Sequence, residues 1–358
     1  MDIATNETRI ESGAVVLGGR RIPAAWLADN AEGARSHAGG HRLAGALALS
    51  GLTVEAAWID GETLFARLSD GETRRVPLAT LGEPPADDGA ALWLTAAAGE
   101  DGPPIDFTAY LEDDAALAEA LTRIVRRGIV FLTGAGSEPE TVARFVARFG
   151  YIRETNYGRL FDVREEARPS HLAYSPVGLD LHTDNPYRDP EPTLQALHVI
   201  EAASDGGESL FADGFAHAEA LRAATPERFE ILTRTPVPFA YEGAAGERFL
   251  ARRPILETDG AGRLRSIRVN HRAMGATPLD GAEAWYEAYL DLYGRLHAPD
   301  ACIARRLAPG EIVLFDNRRL LHGRAASAGA GGARGGRWLQ GCYAERDGLL
   351  AKLAQISR

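Results

Sequence analysis

Cysteine is scarce in this chain of 358 residues, which has two thiols, Cys302 and Cys342. Two cysteines cannot form a disulfide framework or a thiolate cluster, so a reducing compartment is indicated. Basic residues are also outnumbered, because the chain has 39 Lys and Arg residues and 50 Asp and Glu residues, which gives a formal net charge of -11. A phosphate-binding surface needs a basic stripe, so the composition argues against a nucleic-acid partner.

Long hydrophobic runs are missing as well, although 45% of the residues are hydrophobic. No stretch approaches the length of a membrane span, and residues 1–7 lack the basic start and apolar run of an export signal. We therefore expect a cytoplasmic protein with no membrane partner. The length allows one large domain plus a small one.

Short apolar runs separated by turn signals predict a small N-terminal β domain over residues 1–90. Residues 54–59 precede Asp60-Gly61, and residues 64–68 precede a turn at Asp70-Gly71. Asp-Gly turns between alternating segments favour hairpins. A stretch rich in Pro and Gly gives a predicted linker over 91–104, with Trp93 packing against one of the domains.

The remainder, residues 105–358, is predicted to be the catalytic domain. Residues 114–127 place apolar side chains at helical spacing, and Gly128 ends that run. Many short strands follow from residue 172 onward. Further predicted segments are a buried strand at 129–132, helices beginning at 139 and covering 216–225 and 282–297, a flexible loop at 328–333 and an amphipathic segment at 348–357. This pattern indicates an all-β core with attached helices and leaves the strand order open.

A candidate metal site begins at His182 and Asp184, which occupy positions i and i+2 of an extended segment and so project from one face. A third ligand is needed, and His322 supplies it if the fold brings the two stretches together. Two histidines and one carboxylate would leave three coordination positions open on a non-haem Fe(II). The alternative is simpler, since a His or Asp near a strand end is often only hydrogen-bonded.

Arg337, fifteen positions after His322, gives the triplet its context. A guanidinium fork suits the distal carboxylate of a dicarboxylic co-substrate, which it binds through two parallel hydrogen bonds. The order H-x-D, then His-Gly, then Arg is typical of Fe(II)/2-oxoglutarate dioxygenases.

Four separated segments extend this resemblance: HTDNPYRDPEPTLQALH, GGESLFADGF, LFDNRRLLHGR and RWLQGCYAERD. Together they resemble the γ-butyrobetaine hydroxylase family, within the wider taurine dioxygenase group, from about residue 105 to the end. The resemblance implies a mainly β fold, a double-stranded β-helix (jelly-roll) with flanking helices and the metal at its mouth. It also implies Fe(II), 2-oxoglutarate and O2, with ascorbate as reductant, and a homodimer. The implied reaction is hydroxylation of a trimethylammonium zwitterion, as from γ-butyrobetaine to carnitine in carnitine biosynthesis.

Two residues match co-substrate positions of that group. Ser209 matches the hydroxyl residue that assists 2-oxoglutarate binding, and Leu197 would line the same pocket. A strand serine facing solvent and an alternating core leucine are the competing interpretations.

The resemblance also implies an aromatic cage for the trimethylammonium group, where ring quadrupoles attract a desolvated cation. The matching positions are Tyr157, Phe161, Tyr174 and Tyr343. Each ring alone is compatible with ordinary core packing, but four matches in three motifs favour the cage.

The anionic end of the substrate departs from the family, whose members commonly use neutral amides and a tyrosine there. The aligned positions are His171, Asn185 and Arg272. Basic residues suggest an anion of higher charge, so 2-(trimethylammonio)ethylphosphonate is an alternative substrate. Otherwise Arg272 pairs with an acid such as Asp280 or Glu283.

A second departure lies in the N-terminal domain, which in this family usually carries a zinc held by three cysteines and a histidine. Residues 31–36 contain no cysteine, and His37 and His41 are predicted to be solvated. We expect the domain to be held by its own apolar core.

Three rival functions remain. A non-catalytic betaine-binding cupin would have no use for Arg337. A zinc hydrolase would need a general base, and no H-E-x-x-H is present. Trimethyllysine hydroxylation shares the cage but needs a head-group site that the sequence does not identify.

Overall fold

The structure is a computed structural model that describes residues 8–37, 39–82, 89–99, 102–164, 178–202, 206–243, 246–326 and 337–357. The chain divides into two compact units, Met1–Asp87 and Asp88–Arg358. Within the described ranges, every helix is too short or too polar to cross a membrane.

The small unit contains two three-stranded antiparallel sheets. Its elements are β1 (Arg9–Glu11), β2 (Ala14–Leu17), β3 (Arg20–Pro23), α1 (Ala24–Asn30), a 3-10 turn (Ala46–Leu49), β4 (Val54–Asp60), β5 (Thr63–Leu68), β6 (Thr73–Pro77) and a second 3-10 turn (Leu78–Leu81). The hairpin predicted at Asp60-Gly61 is confirmed, because Asp60 pairs with Thr63 across the β4–β5 turn.

An apolar cluster holds the small unit together. Leu27 of α1 packs among Leu64 and Leu68 of β5 and Val76 of β6, all of them fully buried. His37 and His41 lie on the surface. Burial of these aliphatic side chains supplies the main stabilising term of this unit.

The large unit has fifteen strands and eight helices in its described parts. The helices are α2 (Ala96–Gly99), α3 (Phe107–Glu112), α4 (Asp114–Arg127), α5 (Thr141–Ala147), α6 (Gly214–Ala224), α7 (Pro226–Arg234), α8 (Ala282–Leu296) and α9 (Arg346–Ile356). The strands are β7 (Ile105–Asp106), β8 (Ile129–Thr133), β9 (Ile152–Arg153), β10 (Phe161–Arg164), β11 (Leu179–His182), β12 (Leu194–Glu201), β13 (Ser209–Asp213), β14 (Val237–Glu242), β15 (Arg248–Arg253), β16 (Leu256–Thr258), β17 (Leu264–Ile267), β18 (Ile303–Arg305), β19 (Ile312–Asp316), β20 (Leu320–Arg324) and β21 (Trp338–Ala344).

Two sheets make up the centre of this unit. The larger has the order β10-β21-β12-β19-β8-β7, with β9 also pairing with β21, and the smaller has the order β11-β20-β13-β18. All pairs in both sheets are antiparallel except β7 with β8. The mainly β core with attached helices is therefore as predicted.

Side-chain alternation along the strands builds four layers. Val313 and Phe315 of β19 belong to a buried cluster shared with β13, β18 and β20, so they face the smaller sheet. Their neighbours Ile312 and Leu314 pack instead against the outer layer of α3, α4, α5 and α9. Helices α6, α7 and α8 cover the far side of the smaller sheet. Residues of even and odd number thus separate into a helix-facing set and an interior set.

Local signals explain the helix that the sequence located best. Asp113 accepts a hydrogen bond from the Ala115 amide at the start of α4, and Gly128 ends the helix with φ 79°. Glycine adopts this left-handed conformation without a Cβ clash. Helices α3 and α7 were not predicted, since six and nine residues offer little periodicity.

A buried ion pair ties the predicted linker to the large unit. The Arg319 guanidinium donates to both Asp213 carboxylate oxygens, at 3.2 and 2.7 Å, and also to the Ala91 carbonyl. Asp213 additionally accepts from the Trp93 amide, and the Trp93 side chain is buried between the sheets. The stretch around Trp93 is therefore part of the large unit's core.

Replacing Asp213 with alanine should lower the free energy of unfolding by about 3–5 kcal/mol, because Arg319 would stay buried without its carboxylate. Denaturant unfolding followed by tryptophan fluorescence measures the change. As a control, Glu230→Ala removes a partner of Arg234 in an exposed pair and should cost at most about 0.5 kcal/mol. Equal losses of unfolding free energy in the two variants would contradict a stabilising role for the buried pair of Asp213 and Arg319.

Candidate active site

Strand pairing brings the three predicted metal ligands together. His182 of β11 is the direct cross-strand partner of His322 of β20, and their ring centroids are 4.3 Å apart. Asp184 follows β11 by two residues, with its carboxylate 3.4 Å from Nε2 of His182 and 3.8 Å from Nε2 of His322. The candidate ligand atoms all lie within 4.8 Å of one another, and this is the one such group found in the described ranges.

The backbone that carries Asp184 is clamped from two sides. Asn317, which follows β19, accepts a hydrogen bond from the Asp184 amide through Oδ1 and donates to the Asp184 carbonyl through Nδ2, at 2.8 and 3.0 Å. On the other side, Asn270 donates to the Thr183 carbonyl at 3.0 Å. Sequence reasoning missed both amides, although Asn317 lies five residues before His322 in a quoted motif.

Electrostatics keep Asp184 and His322 in metal-binding protonation states. Burial raises the pKa of Asp184, but its hydrogen bond to His182 and the neighbouring His322 outweigh burial and lower it below the ordinary value. Burial and the nearby His182 lower the pKa of His322 to about 3, so its imidazole is neutral at neutral pH. Asp184 is therefore a carboxylate, and His322 offers a neutral imidazole nitrogen.

Hydrogen-bond contacts with neighbouring groups orient two of the candidate ligands, His182 and Asp184. The Asp180 carbonyl lies 2.9 Å from Nδ1 of His182, which leaves Nε2 on the side of Asp184. The Tyr343 hydroxyl donates to Oδ2 of Asp184 at 2.8 Å. Burial raises the pKa of Tyr343 well above its ordinary value, so the hydroxyl keeps its proton. Such contacts are typical of metal sites, and a 2-His-1-carboxylate donor set fits Fe(II) with open positions.

The predicted co-substrate residues lie further along the same interior. Ser209 of β13 is paired with Arg324 of β20, and both sit two residues beyond the pair formed by Phe211 and His322. That offset corresponds to about 7 Å along the strands. Ser209 and Arg337 line one cleft, together with Val199, Leu307 and Leu339. Ser209 is buried, so the solvent-facing alternative is wrong.

Leu197 occupies a different place. It belongs to the cluster between the sheets, and an added Cβ on Gly341 would approach its Cδ2 to 2.8 Å. The same added Cβ would come within 2.5 Å of the Phe161 ring. Leu197 therefore packs beside the candidate cage and is absent from the residues that line the cleft of Ser209 and Arg337.

Three of the four predicted cage residues form a continuous group. The Phe161 ring lies 6.4 Å from that of Tyr157 and 5.0 Å from that of Tyr343. Tyr174 lies outside the described residues. Because Tyr343 also holds Asp184, the group adjoins the candidate metal site.

Three further aromatic residues join this group, and sequence reasoning missed them. The Tyr241 ring lies 5.9 Å from Tyr157 and 5.1 Å from Tyr187, and Phe249 lies 6.2 Å from Tyr241. Tyr241 and Phe249 face each other across the β14–β15 hairpin. The sequence signal was the alternation of that hairpin, which says nothing about where the hairpin packs.

The two described residues predicted for the anionic end differ in burial. Asn185 is 3% exposed and lies beside Asp184. Arg272 is at the surface, where it pairs with Asp180 at 3.7 Å, so the acids expected from the sequence, Asp280 and Glu283, are not the partners in that pair. His171 lies outside the described residues.

Tyr343→Phe tests the contact to Asp184. Loss of the hydroxyl donor should weaken metal binding about tenfold, as expected when a partner of a metal ligand is removed, while the ring near Phe161 stays. Anaerobic calorimetry with Fe(II) measures the affinity. Tyr151→Phe is the matched control, because Tyr151 is exposed. Unchanged affinity in Tyr343→Phe would show that the carboxylate does not need this donor.

Comparisons with known proteins identify the family of this chain and several relatives. The family described as taurine catabolism dioxygenase TauD, TfdA matches residues 92–343. Gamma-butyrobetaine dioxygenase of Pseudomonas sp. (strain AK-1) is 37% identical over 258 residues, 72% of this chain and 66% of that protein. Mitochondrial trimethyllysine dioxygenase of Mus musculus is 31% identical over 255 residues, 69% of this chain and 59% of that protein. The matches thus span just under two thirds of the bacterial relative and less of the murine one.

Among solved structures, an asparagine oxygenase in complex with Fe(II), 2S,3S-3-hydroxyasparagine and succinate has a TM-score of 0.50 at 18% identity, covering 70% of this chain and 82% of that one. This likeness concerns the fold alone and supports the predicted jelly-roll core. Because the family match covers well over half of the sequence, the chain belongs to the taurine catabolism dioxygenase TauD, TfdA family.

Proposed function

We propose that this chain is an Fe(II)- and 2-oxoglutarate-dependent hydroxylase of a trimethylammonium zwitterion, of the type that converts γ-butyrobetaine to carnitine. The observation that carries the proposal is the hydrogen bond from Tyr343 to Asp184, because it joins the candidate metal site to the aromatic group. Relatives named gamma-butyrobetaine dioxygenase and trimethyllysine dioxygenase support the substrate class.

In this proposal His182, Asp184 and His322 hold the iron. Bound iron with 2-oxoglutarate and O2 supplies the oxidising power for hydroxylation of a C–H bond, coupled to loss of CO2 from the co-substrate. The protein's task is to hold and aim the two organic molecules. Arg337 and Ser209 receive the distal carboxylate, and the offset of about 7 Å along the strands suits a five-carbon diacid that reaches from that cleft to the metal.

Arg324 is a further candidate for the co-substrate. It is buried, shares the interior face of β20 with His322 and lies opposite Ser209. A guanidinium in this position favours an anionic ligand beside Ser209.

The cation of the substrate is assigned to the rings of Tyr157, Phe161 and Tyr343, with Tyr174 as the fourth member. A desolvated trimethylammonium gains about 2 kcal/mol or more from such faces. Burial raises the pKa of Tyr157 to about 12, so this ring stays neutral at neutral pH. Tyr343 would place the cation close to the metal, since its ring and its hydroxyl serve the two sites at once.

The anionic end is assigned to Asn185, His171 and Arg272. The phosphonate analogue stays an alternative substrate. Among the described residues no contact favours the phosphonate over a carboxylate, because Arg272 is 41% exposed and already faces Asp180. Trimethyllysine is a second alternative. The remaining proposals are a cytoplasmic homodimer and an independent small β domain over residues 1–90.

Turnover tests the proposal directly. Purified protein with Fe(II), ascorbate and 2-oxoglutarate should release succinate in step with added γ-butyrobetaine, and mass spectrometry should show one added oxygen on the substrate. Asp184→Ala should lose at least about a hundredfold in rate, since it removes the carboxylate ligand. The same assay is run with the phosphonate analogue and with trimethyllysine, which differ from γ-butyrobetaine at the anionic end. Betaine binding without any succinate release would favour a non-catalytic cupin.

Gly341→Ala tests the cage separately from the metal. The new methyl group would collide with the Phe161 ring at 2.5 Å and force it to shift, so affinity for tetramethylammonium should fall about tenfold while Fe(II) affinity stays the same. Gly294→Ala is the control, because nothing lies within 4 Å of an added Cβ there. Equal affinity for tetramethylammonium in the variant and the wild type would remove Phe161 from the cage.

A further inference from the structure

A hydrogen-bonded chain connects the aromatic group to Asn185. The Tyr157 and Tyr187 hydroxyl oxygens are 3.1 Å apart, and the Tyr187 hydroxyl donates to Oδ1 of Asn185 at 2.6 Å. Tyr187 and Asn185 are both more than nine-tenths buried. Contact between a cage residue and the amide beside Asp184 therefore runs through a single side chain, that of Tyr187.

The other arm of the Asn185 amide has an unused donor. Its Nδ2 is buried and has no hydrogen-bond partner within the described part of the chain. Buried donors without partners are rare in folded proteins, so each one calls for an explanation. The left-handed backbone of Asn185, with φ 55°, explains why asparagine is tolerated here. Backbone conformation does not explain the unpaired side-chain donor.

The contact with Tyr187 determines which arm of the amide is available. A separation of 2.6 Å is in the range of an O–H···O bond and short for an N–H···O bond. The hydroxyl therefore takes the carbonyl arm of the amide, and the NH2 arm is left for an acceptor. An anionic oxygen is the acceptor that such a donor binds most strongly.

From these contacts we propose that Tyr187 is a positioning residue, which orients the Asn185 amide so that Nδ2 donates to the anionic oxygen of a zwitterionic substrate. The inference rests on the proposed function, since the cation of that zwitterion is assigned to the rings of Tyr157, Phe161 and Tyr343. It adds the requirement that one chain of hydrogen bonds connect the residues that bind the two charged ends of the substrate.

Packing makes the hypothesis testable with a small change. The Tyr187 ring stacks on Tyr241 at 5.1 Å and on Phe249 at 6.1 Å, so Tyr187→Phe keeps the ring contacts and removes the hydroxyl. Tyr289→Phe is the matched control, because the Tyr289 hydroxyl is buried and has no partner among the described residues.

The experiment compares two ligands on the anaerobic protein with Fe(II) and 2-oxoglutarate, by calorimetry. One is γ-butyrobetaine, and the other is butyltrimethylammonium, which lacks the carboxylate. Tyr187→Phe should weaken γ-butyrobetaine about tenfold, the effect of one lost hydrogen bond to a charged group, and leave the cation-only ligand unchanged. Asn185→Ala should do the same, and the double variant should be no weaker than Asn185→Ala alone.

Other results overturn the inference. Equal weakening of both ligands in Tyr187→Phe would mean that the hydroxyl merely supports the cage, and no weakening of either would mean that the amide is not oriented by it. Tighter γ-butyrobetaine binding in Asn185→Ala would mean that the carbonyl arm faces the ligand. Failure of the wild type to bind either ligand would instead overturn the proposed function, and the inference with it.

Discussion

The direct pairing of His182 with His322 is the constraint on which the site depends. Antiparallel register makes these residues neighbours although the chain separates them by more than a hundred positions. A one-residue slip of either strand would turn its histidine toward the helices, because successive side chains alternate between faces. The apolar residues that precede each histidine hold this register. Leu181 and Leu321 face α6–α8, and Leu320 faces the larger sheet.

The same alternation distributes the rest of the chemistry. Arg337 precedes β21, and Leu339, Gly341 and Tyr343 follow on alternate positions. Leu339 joins the core between the sheets, and Tyr343 reaches Asp184. One strand thus contributes a candidate co-substrate cation at one end and a metal-orienting hydroxyl at the other. Gly341 sits between them without a side chain, which is what lets the Phe161 ring lie close to the strand.

Sequence reasoning succeeded where a signal is local or where motif order is specific. Helix α4 carries its own caps and periodicity, and the metal triplet follows from residue types in a recognisable order. It failed for Tyr241, Phe249 and Asn270, since their roles come from long-range packing of a hairpin and a loop. The predicted acid partners of Arg272 were near it in sequence, whereas its partner Asp180 is near it in space. Pairing across ninety residues leaves no trace in one sequence.

Two asparagines show how the same side chain can serve opposite purposes in one site. Asn317 uses both arms of its amide, since Nδ2 donates to the carbonyls of Asp184 and Pro192 while Oδ1 accepts from the Asp184 amide. A satisfied buried amide stabilises the loop and has nothing left for a ligand. Asn185 satisfies one arm and leaves a donor unpaired at a cost to stability. Burial of that incomplete amide beside a candidate metal ligand makes chemical sense if a substrate completes it.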